Sequence, residues 1–189
     1  MPRARRSDAV RNAERVFAAA LDVSARRGLD VGLAEVAAEA GVGRTTVYRS
    51  FATRDALVAA VVEHKLTVLT ARLEEVSRHE DAWLGLREMI VALMEHVRCD
   101  RLLGDALLHR PDMFPPVSTA SIRLAELLER GRRQGVIAEG VTGFDLRLLV
   151  AGAGHALRIG GTATPEDWHR AAELVAAAAR GARSRAEHA

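Results

Sequence analysis

Between Leu33 and Ser50 two short helical periodicities meet at a glycine corner, and that corner constrains the fold more than any other stretch. It reads LAEVAAEAGVGRTTVYRS. Leu33, Val36, Ala37 and Ala40 recur at spacings of three and four, which places them on one face of a helix. Gly41 supplies the positive φ that ends such a helix. A second helix is expected from Arg44 to Ser50, followed by the turn FATRD. Two helices crossing steeply at so short a turn need a small residue at the contact, which Ala37 provides. With Val42 plugging the turn and Val47 facing the core, the segment reads as a helix-turn-helix.

A wheel through the second helix separates two surfaces. With Arg44 at zero and ~100° per residue, Val47 and Phe51 fall near about 300° and 340°, the buried side. Thr45, Thr46 and Arg49 fall near about 100°, 200° and 140°, facing outward, with Arg44 and Tyr48 along one flank. No acid stands between Val42 and Phe51, whereas a merely solvated face usually mixes signs. Guanidinium, hydroxyl and phenol groups have the chemistry of groove and phosphate contact. Arginine can bind guanine bidentately, threonine a phosphate or a thymine methyl, and tyrosine the backbone.

The same helical period runs through the rest of the chain. Val10, Ala13, Phe17, Ala20, Leu21 and Ser24 predict an amphipathic helix over 8–27, started at Ser7 or Asp8 and closed by Gly28. Further helices are expected over about 53–78, 81–100, 102–109, 118–134, 143–159 and 165–183. RPDMFPP (110–116) reads as a proline-broken loop, and Pro165 suits a first helical position. Hydrophobic residues make up 49% of the 189 and aromatics 4%, with Ala and Leu dominant, so an all-α protein is expected.

Net charge is only +2. Residues 1–54 nevertheless carry ten arginines against six acids, an excess of four, which favours an anionic partner for that end. PRARRS at 2–7 reads equally as a groove-reaching arm or a solvated terminus. Cys99 is the sole cysteine and reads as a small buried hydrophobe. No apolar run reaches the ~18–20 residues that span a membrane, and no apolar segment follows the basic start. A cytoplasmic protein with no membrane partner is expected. The seven histidines form no H-E-x-x-H pattern, and G-x-S-x-G and P-loop motifs are absent, so no enzyme, cofactor or metal is expected.

EVAAEAGVGRTTVYRSF and TRDAL, with Phe17 and Gly28 around the first helix, resemble the tetracycline-repressor (TetR) family of bacterial regulators. The matching residues run from about Val16 to Leu57. The resemblance implies a three-helix DNA-binding domain over 1–54 and a helical effector-binding and dimerisation domain over 55–189. It places Arg44, Thr45, Thr46, Tyr48 and Arg49 at or near DNA, with Arg54 on a phosphate at the start of the fourth helix. Gly43, Gly32 and Ser50 depart from the family pattern of hydroxyl caps and a larger residue before the phenylalanine. The implied partners are double-stranded DNA with a pseudo-palindromic operator, a second copy of the chain and a small-molecule effector.

Small residues in AGAG (151–154) and AAELVAAAARGA (171–182) suit close helix packing between copies. Candidate pocket residues are Trp83, Met89, Leu93, His96, Met113 and Phe114, with Arg123 as polar anchor. The expected function is a sequence-specific repressor released from its operator by a ligand. The alternatives are a non-specific architectural DNA-binding protein and an orphan binding protein whose DNA unit has decayed.

Overall fold

The computed structural model describes residues 2–115 and 118–181, with side chains from Val10 onward. Among them are nine α-helices: α1 (Pro2–Arg27), α2 (Leu33–Ala40), α3 (Arg44–Ser50), α4 (Arg54–Val76), α5 (Ala82–Cys99), α6 (Arg101–His109), α7 (Thr119–Arg133), α8 (Gly143–Gly160) and α9 (Pro165–Ala178). Single 3-10 turns follow α1 at Gly28–Asp30 and α6 at Pro111–Met113. The only extended pairing among the described residues is one bridge between Ile137 and Arg180. The all-α expectation holds.

Local chemistry sets most boundaries. Thr53 accepts from the Ala56 N–H at 3.1 Å to start α4, and Asp81 accepts from Trp83 N–H at 2.8 Å to start α5. Thr142 with Asp145 and Thr164 with Asp167 form capping boxes at α8 and α9, each satisfying otherwise orphaned N–H groups. Pro165 opens α9. Some details differ from the sequence reading. α9 ends at Ala178 rather than near 183, because the chain beyond it turns to pair Arg180 with Ile137. α1 begins at Pro2 rather than at Ser7 or Asp8, because nothing between them breaks a helix and proline is tolerated at a first turn. Its buried stripe starts only at Val16, whereas Val10 is 54% exposed.

One apolar cluster runs through the molecule. Val16, Ala20 and Val23 of α1 enclose it with Val36 and Ala37 of α2, Val47 of α3, and Leu57, Val58 and Val61 of α4, all buried. Phe17 bridges the end of α3 and the face of α4: its ring lies 6.4 Å from Phe51 and 5.4 Å, edge-on, from His64. In the body, α5 is central, burying Leu86, Ile90, Met94 and Val97 and packing on α4, α6, α7, α8 and α9.

α6 joins the N-terminal helices to the body. Gly28, at φ 63°, lies so close to α6 that a Cβ there would overlap the Asp105 carboxylate. That carboxylate accepts from the Leu29 N–H at 3.4 Å. At the α5–α6 junction Asp100 caps α6 through Leu103 N–H at 3.0 Å and pairs with Lys65 of α4. Its carbonyl receives Arg158 of α8 at 3.2 Å. One residue thus ties four helices together. The neighbouring Cys99, expected in the core, is instead exposed. It ends α5 on the outward side, 3.4 Å from Glu95, and partial desolvation beside that carboxylate pushes its thiol pKa up.

Candidate nucleic-acid interface and effector cavity

The α2–α3 corner is closed by backbone hydrogen bonds. Gly41, at φ 62°, donates to Ala38 O at 3.2 Å, and Val42 donates to Ala37 O at 3.1 Å. This is a Schellman closure, which needs a left-handed residue at Gly41. Gly43 caps α3 without a side-chain bond, its carbonyl accepting from Thr46 N–H at 2.9 Å. At α2, where no hydroxyl stands, the Glu35 carboxylate accepts from Gly32 N–H at 3.3 Å. The Arg27 guanidinium beside it, 2.7 Å away, holds Glu35 below the usual carboxylate range.

With Val47 fully buried and Phe51 nearly so, α3 can turn only its other side outward. Arg44, Thr45, Tyr48, Arg49 and Ser50 are exposed, and Thr46 is half-buried. Tyr48, the only tyrosine of the chain, leaves 55% of its surface open on this side. The acids of α2 are already engaged by α1: Arg26 meets Glu39 at 2.6 Å and Arg27 meets Glu35. Arg44, Arg49 and the exposed Arg54 make no ion pair with any described residue. Three uncompensated cations therefore stand at one end of the molecule, next to hydroxyl and phenol groups. The 2–7 arm continues α1 in its backbone, while its side chains lie outside the described residues.

α4 starts at Arg54, beside α3, and its later turns reach the body. The twelve residues from Arg54 to Leu66 rise ~18 Å along the helix. Leu66, Leu69 and Leu73 then form one wall of a cavity of about 380 Å3. Met89 and Leu93 of α5, Leu107 of α6, Phe114, Leu124 of α7, and Phe144 and Val150 of α8 close the other sides. A cavity of this size and apolarity suits a small organic ligand.

The pocket candidates read from sequence divide. Met89, Leu93 and Phe114 line this cavity. His96 faces an adjacent cavity of about 300 Å3, whose wall also includes Met89 and Leu93. Trp83 lies under the Arg180 guanidinium, 4.9 Å from its ring centre. Met113 is the last residue of the 3-10 turn that follows α6 and packs against the core. Arg123 is held on the surface by Glu126 at 2.9 Å and Glu74 at 3.9 Å. Neither Trp83, Met113 nor Arg123 lines the 380 Å3 cavity. The arginine at its wall is Arg147, which the sequence reading missed. Only its place one turn from Gly143 and Phe144, on the inward flank of α8, could have suggested it.

Comparison with known proteins fits this arrangement. Residues 16–61 match the sequence model of the bacterial regulatory proteins of the tetR family. An HTH-type transcriptional regulator of Mycobacterium bovis is 34% identical over 149 residues, 77% of this chain and 69% of that protein. A TetR-family transcriptional regulator from Agrobacterium tumefaciens shares the fold with a TM-score of 0.68 at 17% identity, over 92% of this chain and 100% of the other. Bacillus subtilis FadR in complex with stearoyl-CoA does so with a TM-score of 0.64 at 17% identity, over 87% of this chain and 95% of that one.

Proposed function

This chain belongs to the tetR family of bacterial regulatory proteins, and from that premise we propose that it is a dimeric, cytoplasmic repressor released from its operator by a small molecule. As a family member it is a DNA-binding helix-turn-helix regulator of transcription rather than an enzyme. The finer reading divides it into a DNA-binding unit over 1–54 and an effector and dimerisation unit over 55–189. The observation that carries it is one helix, α4, with Arg54 beside the recognition helix and Leu66, Leu69 and Leu73 on the cavity wall.

In this reading Arg49 and Arg44 read base edges, Thr45, Thr46 and Tyr48 add groove and backbone contacts, and Arg54 holds a phosphate. A single α3 reaches only a few base pairs. Two copies spaced ~34–36 Å apart read successive major grooves of a pseudo-palindrome. The exposed apolar side chains of α8 and α9, Phe144, Leu148, Ile159 and Leu174, supply the surface for a second copy. A regulator seated over a promoter excludes polymerase. A ligand that fits the cavity better when the two α3 helices are mis-spaced weakens that binding, and operator weakens ligand binding by the same factor. The acyl ligand of the FadR complex supports an apolar ligand in this fold.

Selection from random duplexes tests the reading. A two-fold site should be enriched, and its footprint should vanish on addition of the effector. Tight binding with no enriched sequence would point to an architectural protein, and loss of duplex binding even at low salt to an orphan binding protein.

A further inference from the structure

The polar lining of the 380 Å3 cavity is limited to Ser121 and Arg147. Ser121 is already used: its hydroxyl donates to Pro115 O at 3.1 Å and accepts from Ser118 at 2.8 Å. Arg147 is half-buried and its guanidinium lies 5.3 Å over the Phe144 ring. Among the described residues no carboxylate or carbonyl receives its N–H groups. A guanidinium carries five donors and keeps its charge, so an anionic head group entering this apolar cavity finds in Arg147 an unengaged charge-assisted partner at its wall. We propose that the effector is a small apolar monocarboxylate, its chain filling the cavity and its carboxylate held by Arg147.

This rests on the cavity being the effector site, as proposed above, and adds the ligand's chemistry. Charge favours a carboxylate over a phosphate monoester: one guanidinium balances a single negative charge, while a phosphate monoester carries about −1.5 to −2 at neutral pH. Size favours a short chain, because about 380 Å3 lies near the lower end of ligand pockets, roughly 300–1,000 Å3. Arg147 also lies beside the exposed Leu148 and one turn after Phe144, so the carboxylate would lie near the proposed seam with a second copy.

Calorimetric titration of the full chain with decanoate and with 1-decanol tests the assignment, using Arg147→Gln and the cavity-filling Leu124→Trp. Decanoate should bind on the order of tenfold or more tightly than the alcohol, as expected of a charge-assisted pair. Arg147→Gln should erase that difference while leaving decanol affinity and the light-scattering mass unchanged. Leu124→Trp should abolish both. Equal binding of the two probes, lost in Leu124→Trp, overturns the carboxylate and leaves the cavity reading standing. Binding untouched by Leu124→Trp overturns both readings. If neither probe binds, the apolar monocarboxylate is wrong. If Arg147→Gln instead yields a monomer, Arg147 belongs to the subunit contact and the proposal falls.

Discussion

Arg49 and Arg54 stand a few residues apart, both exposed and both without an ion-pair partner among the described residues, yet the proposed function gives them different roles. Arg49 lies in the last turn of α3 on its outward face, while Arg54 is the first residue of α4. Arg54→Ala should lower affinity for every duplex alike and reduce the slope of log K against log salt by about 1. Arg49→Ala should cost about 1–3 kcal/mol at one base position per half-site. Fluorescence anisotropy over a salt series, with single-base operator variants, separates the two. Interchanged results would reassign both side chains.

Gly41 makes a second residue-scale case. At φ 62° any side chain is strained, and a Cβ would lie 3.1 Å from the Arg15 guanidinium, which itself donates to Ala40 O at 2.6 Å. Gly41→Ala should therefore destabilise the chain by about 1–2 kcal/mol, read as a lowered thermal midpoint. An unshifted midpoint would show that the corner can close in another way. This position was legible in the sequence because a left-handed residue at a helix end is a local demand. The outward face of α3 was legible for the same reason: helix period alone orders Val47 and Phe51 inward.

At the scale of elements, capping decides where the body helices begin. Thr164→Ala removes the hydroxyl that accepts from Asp167 N–H at 3.3 Å and should cost about 1 kcal/mol, seen in urea unfolding at neutral pH. The same cap makes stability sensitive to acid. The Thr164 backbone N–H and then its hydroxyl hold Asp167 below its ordinary 3.8. At α8 the Thr142 hydroxyl and then its backbone N–H do so for Asp145. A carboxylate with a lowered folded pKa stabilises fully above its unfolded value, and that contribution is lost as pH falls through the folded one. Unfolding midpoints should accordingly drop below about pH 3.8, less steeply in Thr164→Ala. Equal acid sensitivity in both proteins would remove Asp167 from the account.

The stretches AGAG and AAELVAAAARGA show how one element serves two demands. Ala151 and Gly154 of α8 are buried within the chain, Gly154 against Val97 and Trp168. Gly152 instead is exposed, with open space around it. On α9, Ala172, Val175 and Ala176 face inward, while Leu174 is 62% exposed. Small-residue composition predicts close packing and is silent on which side packs within the chain.

For the whole molecule, the proposed dimer rests on the apolar surface of α8 and α9. Phe144 at 60%, Leu148 at 56% and Ile159 at 74% exposure form a face that a lone chain would leave in water. Leu148→Glu should shift the light-scattering mass to that of one chain and abolish two-fold operator binding, with helicity by circular dichroism retained. A dimer that survives this change would move the interface elsewhere.

Amino-acid order alone determined the nine helices, the glycine corner and the chemistry of α3, because caps, breakers and the 3.6-residue period act over neighbouring residues. The tertiary structure alone decided that Arg147, not Arg123, reaches the cavity, that Cys99 is exposed, and that Asp100 ties four helices. Leu69, Met89, Leu93 and Phe114 carry the same apolar signal as any core residue. Only the space left between packed helices makes them the walls of a cavity, and that space belongs to no local stretch of the chain.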